Sequence, residues 1–89
     1  MADNKKLERV LKATANRRRF NILAHLKKEK ELTVGEIAEC LHLSFKSTSR
    51  HLSVLFGADL VEKTQRSSEV FYRLGDNLHP TVLEIIRHV

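Results

Sequence analysis

Two helical patterns separated by only two residues constrain the fold of this chain more than any other feature. The first begins after Thr33, and Glu36 completes a capping-box pattern there. Its apolar face consists of Val34, Ile37, Ala38 and Leu41. The second begins after Ser44 and runs to about Phe56, where Gly57 is expected to end it in a left-handed conformation. Its apolar seam consists of Thr48, Leu52 and Leu55. Because so short a connection makes two helices cross sharply, the pair predicts a helix-turn-helix.

Three further helical patterns flank this pair. The first has an apolar face formed by Leu7, Val10 and Leu11. The second begins after Asn16, whose side chain is a suitable helix cap. The last follows a cap at Asp76 or Asn77 and has Pro80 in its first turn, where proline is favoured.

Residues 60–64 and 69–74 are rich in β-branched and aromatic side chains, which is typical of strands. The polar residues 65–68 lie between them, so the two segments predict a β-hairpin. Because this connection contains no glycine, we expect a loop longer than a tight two-residue turn.

The expected architecture is therefore mainly α with a β-hairpin wing, a winged helix-turn-helix with the order α-α-α-α-β-β-α. The 89 residues support one domain, residues 1–89, with one modest core. No apolar run approaches the ~18 residues that a membrane span needs, and residues 1–6 show no signal-peptide core. Cys40 is the single cysteine, and we expect it to be structural and mostly buried. These features favour a cytoplasmic protein.

Residues 40–58 contain no acidic side chain, although the whole chain has 11 Asp and Glu beside 16 Lys and Arg. A surface that lies in a DNA groove tolerates few carboxylates, because the duplex carries about one negative charge per 1.7 Å of axis. The first turns of the second helix of a helix-turn-helix reach the base edges. We therefore expect double-stranded DNA to be contacted by Lys46, Ser47, Ser49, Arg50 and His51. The alternative is an ordinary solvated face, which usually mixes both signs of charge.

The wing and a run of arginines supply further basic candidates. Gln65, Arg66 and Ser67 are expected to reach phosphate or the minor groove, the alternative being an ordinary exposed loop. In the run at residues 17–19, successive side chains point about 100° apart, so at most one or two face DNA. At least one of them is expected to pack or pair internally.

The terminal helices predict a homodimer. The last pattern has more apolar positions than one buried stripe needs, and the first adds a stripe of its own. We expect a two-fold interface formed by Leu7, Val10, Leu11, Val82, Leu83, Ile86 and Val89. The alternative is a terminal helix that packs on a single core.

Four segments, in order and at matching spacings, resemble the ArsR/SmtB family of regulators. They are ANRRRFNIL (residues 15–23), ELTVGEI (31–37), SRHL (49–52) and VFYRL (70–74). The resemblance covers about residues 7 to 89. It implies a dimeric winged-helix repressor, of a kind that often releases DNA on binding a metal ion or on thiol oxidation.

The chain departs from this family at its metal sites. Thr33 and Gly35 stand where the family's thiolate site has cysteines. In the other common site, Asn77 precedes His79 at the spacing of an acidic ligand, and the chain stops before the later ligands. We therefore expect no metal site and no cofactor. Phe45 also stands where the family has a polar residue used on DNA, and it either packs under the turn or contacts a thymine methyl.

These features favour a sequence-specific DNA-binding transcriptional regulator, a dimeric repressor of a pseudo-palindromic operator. The alternative is a winged-helix protein-interaction module that binds no DNA. An enzyme is not expected, because no phosphate-binding loop, paired carboxylates or nucleophile–histidine pattern is present in the sequence.

Overall fold

The computed structural model describes residues 2–88, with side chains from residue 4 onward, and these residues form five helices and one sheet. The helices are α1 (Ala2–Thr14), α2 (Arg17–Glu29), α3 (Val34–Leu41), α4 (Phe45–Gly57) and α5 (Pro80–Arg87). The strands are β1 (Glu31–Thr33), β2 (Val61–Arg66) and β3 (Glu69–Leu74). The predicted winged helix-turn-helix is confirmed, with one strand added. No helix among the described residues is long and apolar enough to cross a membrane.

Polar side chains cap the three central helices at the predicted residues. Asn16 Oδ1 accepts from the backbone N–H groups of Arg18 and Arg19 at the start of α2. Thr33 and Glu36 form a complete capping box at α3, and Ser44 Oγ accepts from Ser47 N at 3.0 Å in α4. Only residues 42 and 43 lie between the end of α3 and the Ser44 cap of α4, as predicted.

The strand β1 was not predicted. It pairs with β3, so that the hairpin becomes part of a three-stranded antiparallel sheet with the order β1-β3-β2. Leu32 at its centre pairs with Tyr72 of β3. A three-residue strand is too short to show a period of its own in the sequence. Its pairing partner, β3, lies some 40 residues further along the chain.

The expected long wing loop is wrong. Gln65 and Arg66 belong to β2, and Arg66 pairs with Glu69, so that only two residues connect the strands. Ser67, the first of these two, takes the positive φ of 57° that glycine usually supplies in a tight turn. A serine therefore closes this hairpin.

The predicted end of α4 and the predicted cap of α5 also need correction. Gly57 is the last residue of α4 and has no positive φ, and Asp59 takes the left-handed conformation at 60° instead. The cap of α5 is His79, whose Nδ1 accepts from Thr81 N at 3.1 Å, and not Asp76 or Asn77. Pro80 is the first residue of α5, as predicted.

The core lies where the helix-turn-helix packs on α2 and on the base of the sheet. Ile22, Ile37, Leu52 and Leu55 are completely buried there. Lys27 Nζ ties α2 to the end of α5 by donating to the carbonyl oxygens of Ile86 and Arg87, at 3.0 and 3.2 Å. The buried Leu52 and Leu55 hold α4 against this core.

Candidate nucleic-acid interface

The start of α4 presents a polar, positively charged surface. Lys46 and Arg50 are exposed, while Ser47, Ser49 and His51 are half-buried. Within residues 4–88, the side chains of Lys46 and Arg50 make no hydrogen bond or ion pair with the chain itself. All five predicted side chains of this helix therefore lie within two turns, and the two cations among them are available to a ligand.

The opposite side of α4 explains this orientation. Thr48, Leu52 and Leu55 are buried, as the predicted seam requires, and the Thr48 hydroxyl donates to the carbonyl of Ser44 at 2.9 Å. Residues four apart are neighbours on a helix surface, so Lys46 lies beside Arg50 and Phe45 lies beside Ser49. We refer to Phe45, Lys46, Ser49 and Arg50 as the reading patch.

Two arginines of α2 add positive charge beside the reading patch. Burial, together with the charges of Arg19, Arg18 and Arg50, lowers the pKa of His51 from its ordinary value of 6.5. No carboxylate contributes to this shift. The junction of α2 and α4 is therefore a region of positive potential, which suits an anionic partner.

Arg19 is the internally bonded member of the arginine run, as the sequence predicted. Its Nε donates to the carbonyl of Ala13 at 2.7 Å, and one terminal nitrogen donates to that of Lys12 at 3.1 Å. These bonds satisfy the last carbonyls of α1 and fix its orientation against α2. Arg17 and Arg18 are exposed.

The wing cation is placed differently from the cations of α4. Arg66 forms an ion pair with Glu31 of β1, and its guanidinium lies over the Phe71 ring, 3.9 Å from the centroid. Gln65 and Ser67 are exposed beside it, joined by a long hydrogen bond from Gln65 Nε2 to the Ser67 carbonyl. The sequence does not predict the role of Glu31, because the ion pair depends on β1, a three-residue strand with no periodicity of its own.

A second ion pair braces the base of the wing. Arg73 donates to Glu62 Oε1 at 3.0 Å and to Thr64 Oγ1 at 2.8 Å. The other oxygen of Glu62 accepts from Asp76 N at 2.7 Å. The wing is therefore held to the segment that leads into α5.

Phe45 does not pack under the turn, which removes one of its two predicted roles. Its side chain is 63% exposed although its helical phase is close to that of Thr48. Helical side chains tilt towards the N-terminus, and Phe45 is the first residue of α4, so its ring points beyond the core that begins at Thr48.

The predicted burial of Cys40 is also wrong, because this thiol is exposed. At 100° per residue, position 40 lies roughly 110° from the centre of the buried stripe of α3. Among the described residues, no three His, Cys, Asp or Glu side chains are grouped closely enough to hold a metal ion. The absence of a metal site in the functional protein stays a prediction.

The predicted dimer residues divide into two groups. Val10, Val82 and Ile86 are at most 5% exposed within one chain, so their side chains already belong to its core. Leu7 is half-buried, and Val89 lies outside the described residues. Leu11 and Leu83 are 48% and 53% exposed, and they are the predicted members that offer apolar surface to a partner.

A helix-turn-helix with a basic, acid-free second helix and a wing beside it defines a winged-helix DNA-binding regulator. Residues 16–63 match the family model described as bacterial regulatory protein, arsR family. The chain is 36% identical over 80 residues to the transcriptional activator HlyU of Vibrio cholerae, which covers 90% of this chain and 73% of that protein. The chain belongs to the ArsR family of transcriptional regulators, which are not enzymes.

Solved structures agree with this assignment. HlyU from Vibrio cholerae superposes with a TM-score of 0.82, over 97% of this chain and 89% of that one. The Mycobacterium bovis protein Mb0332, described as a homodimeric winged helix-turn-helix DNA-binding domain, is 29% identical with a TM-score of 0.83, over 98% and 77% of the two chains. The transcriptional repressor PagR of Bacillus anthracis is 26% identical with a TM-score of 0.81, over 98% and 95%.

Proposed function

We propose that this regulator acts as a homodimeric repressor in the cytoplasm, binding a pseudo-palindromic operator through the reading patch of each chain. The observation that carries the proposal is the acid-free surface of α4, where Lys46 and Arg50 are exposed and unpaired within the described chain. One recognition helix per chain requires two chains to read a two-fold site.

The terminal helices support the dimer. Leu11 of α1 and Leu83 of α5 expose apolar surface that solvent does not favour. Mb0332, with the same fold, is described as homodimeric. Repression is proposed because a dimer seated on an operator that overlaps a promoter blocks access to it, and PagR is described as a repressor. HlyU is described as an activator, so activation is the competing outcome of the transcription assay below.

The proposal extends to regulation without a metal inducer. Soft metal ions need thiolate ligands, and the third-helix positions that supply them in the family are Thr33 and Gly35 here.

Selection of bound sequences from a random DNA pool, combined with sedimentation of the free protein, tests the proposal. We expect a dimer at micromolar concentration and half-sites about 34 Å apart from centre to centre. If the dimer contacts about 6–10 phosphates, its affinity falls about 10³–10⁵-fold between roughly 50 and 200 mM salt. Transcription in vitro from a promoter that carries the selected site should decrease. A monomer would contradict the proposed dimer, and binding that does not change with salt would contradict the phosphate contacts. Increased transcription would contradict repression.

A further inference from the structure

Phe45 is the most exposed large apolar side chain among residues 4–88, at 63%. It occupies the first position of α4, directly after the Ser44 cap. Ser49 lies beside it one turn further on, and the cations Lys46 and Arg50 complete the reading patch. An aromatic ring therefore stands in the part of the helix whose other members are suited to DNA.

The ring stands beside an open hollow that has both apolar and polar lining residues. Phe45 borders a hollow of about 240 Å³ between the first turn of α3 and the wing. The hollow is lined by the apolar Val34 and Val70 and by the polar Thr33, Ser68 and Glu69. The carboxylate of Glu69 would repel a DNA phosphate placed in this hollow, whereas an uncharged base edge would meet no such repulsion. The ring has no hydrogen-bond donor, so it is suited to an apolar feature of DNA and not to the backbone.

We propose that the Phe45 ring contacts the C5-methyl group of a thymine in the major groove and thereby selects thymine at one position of each half-site. Among the four bases, thymine alone presents a methyl group there, and apolar side chains including Phe recognise it. The inference rests on the proposed function, because it requires α4 to lie in the major groove.

Charge argues against a second copy of the chain as the occupant of this face. Lys46 and Arg50 lie within the same two turns of α4 as Phe45, and residues 40–58 contain no carboxylate that could pair with the same cations of a second copy. Two such α4 surfaces carry like charge and repel each other, and Glu69 of the wing is the one carboxylate among the residues that line the hollow beside Phe45. The DNA duplex, in contrast, attracts the cations of both α4 surfaces.

The test replaces single thymines of the selected site by deoxyuridine, which removes only the C5-methyl group. Binding is measured by fluorescence anisotropy. For the wild-type protein, we expect one thymine in each half-site at which the replacement weakens binding about fourfold, as the loss of one buried methyl group predicts. For Phe45→Ala, we expect weaker binding to the thymine site and equal affinity for the thymine and uracil sites.

Phe56→Ala is the matched control. Phe56 is also exposed on α4 and lies eleven residues from Phe45, so it shares the helical phase of Phe45 at the other end of the helix. This variant should keep the full preference for thymine over uracil. Circular dichroism should show that both variants are folded, because neither ring is buried.

Three results would overturn the inference. The first is a selected site at which no thymine is sensitive to the loss of its methyl group. The second is an unchanged preference for thymine in Phe45→Ala. The third is altered sedimentation of free Phe45→Ala, which would place the ring in a protein contact. In each case the proposed function stands if the random DNA pool yielded a specific site. If the pool yielded no preferred sequence, both the proposed function and the role of Phe45 would be overturned.

Discussion

The reading patch and the wing both have prominent cations in the sequence, but the structure uses them differently. Lys46 and Arg50 on α4 are exposed and have no acidic partner among the described residues. Arg66 at the end of β2 is paired with Glu31 and stacked on Phe71. A cation in the sequence is therefore a stronger candidate for DNA where the fold leaves it without a closer carboxylate.

The difference has a structural cause in the strand β1. Because β1 adds to the free edge of β3, Glu31 is brought to the face of the sheet that also presents Arg66 and Phe71. The α4 surface has no equivalent neighbour, since residues 40–58 contain no acidic side chain. A DNA duplex at the wing would have to compete with Glu31 for Arg66, whereas the described residues place no acidic competitor at the α4 surface.

The largest expected effect is that of Arg50→Ala. If Arg50 makes a bidentate contact to guanine, its removal costs about 1–3 kcal/mol of binding free energy on the selected site, roughly 5- to 150-fold in affinity. Random DNA should lose much less, so that the preference for the selected site falls. Anisotropy titrations with the selected and a scrambled duplex measure both effects.

Arg9→Ala supplies the control for charge, because Arg9 is exposed on α1 and its removal changes the net charge equally. We expect this variant to bind both duplexes nearly as the wild-type protein does. Equal losses on selected and scrambled DNA for Arg50→Ala would place Arg50 on phosphate instead of a base.

A smaller effect of opposite sign is expected for Glu31→Gln. This change removes the carboxylate that competes with DNA for Arg66. An exposed ion pair of this kind is worth about 0.2–1 kcal/mol, so affinity should rise by up to about fivefold. Because Arg66 is then expected to contact phosphate, the gain should be similar on selected and scrambled duplexes.

Glu29→Gln controls for net charge, since Glu29 is exposed at the end of α2 and only two residues away. In an Arg66→Ala background, Glu31→Gln should strengthen binding no more than Glu29→Gln does. If Glu31→Gln left the affinity of the otherwise wild-type protein unchanged, the ion pair would not limit the wing contact, and the contrast with α4 would lose its functional meaning.

What the sequence predicted correctly depends on neighbours along the chain. The caps at Asn16, Thr33 and Ser44 and the buried seam of α4 follow from spacings of three and four residues. These spacings predicted the helix-turn-helix and placed its basic surface on α4. The predicted DNA contacts on that surface remain to be tested.

What it missed depends on contacts between distant segments. The ion pair of Glu31 and Arg66 joins residues 35 positions apart through a strand of three residues. Asp59 and Ser67 adopt the left-handed conformation in which glycine was expected. The glycine content of the sequence therefore misplaced the end of α4 and overestimated the length of the wing loop. Phe45 is exposed because the core begins at Thr48, one turn further along α4. Helical phase shows the face on which a residue lies but not how far the core extends along that face.

The smallest expected effect concerns the stability of the protein in acid, which depends on His51 of α4. Burial and the nearby Arg19, Arg18 and Arg50 lower the pKa of His51 below 6.5 in the folded state. The unfolded chain therefore binds a proton at His51 more readily than the folded chain does. The contribution of His51 to stability is complete above pH 6.5 and is lost as the pH falls below that value.

Urea unfolding at about pH 7.5 and about pH 5.5 measures this contribution. The free energy of unfolding of His51→Gln should fall less between the two values than that of the wild-type protein. Arg18→Gln should also reduce the fall, because it removes one of the charges that oppose protonation. Arg17→Gln is the control of equal charge, since Arg17 does not contribute to the shift. An equal fall in the wild-type protein and His51→Gln would show that burial and the nearby arginines do not lower the pKa of His51.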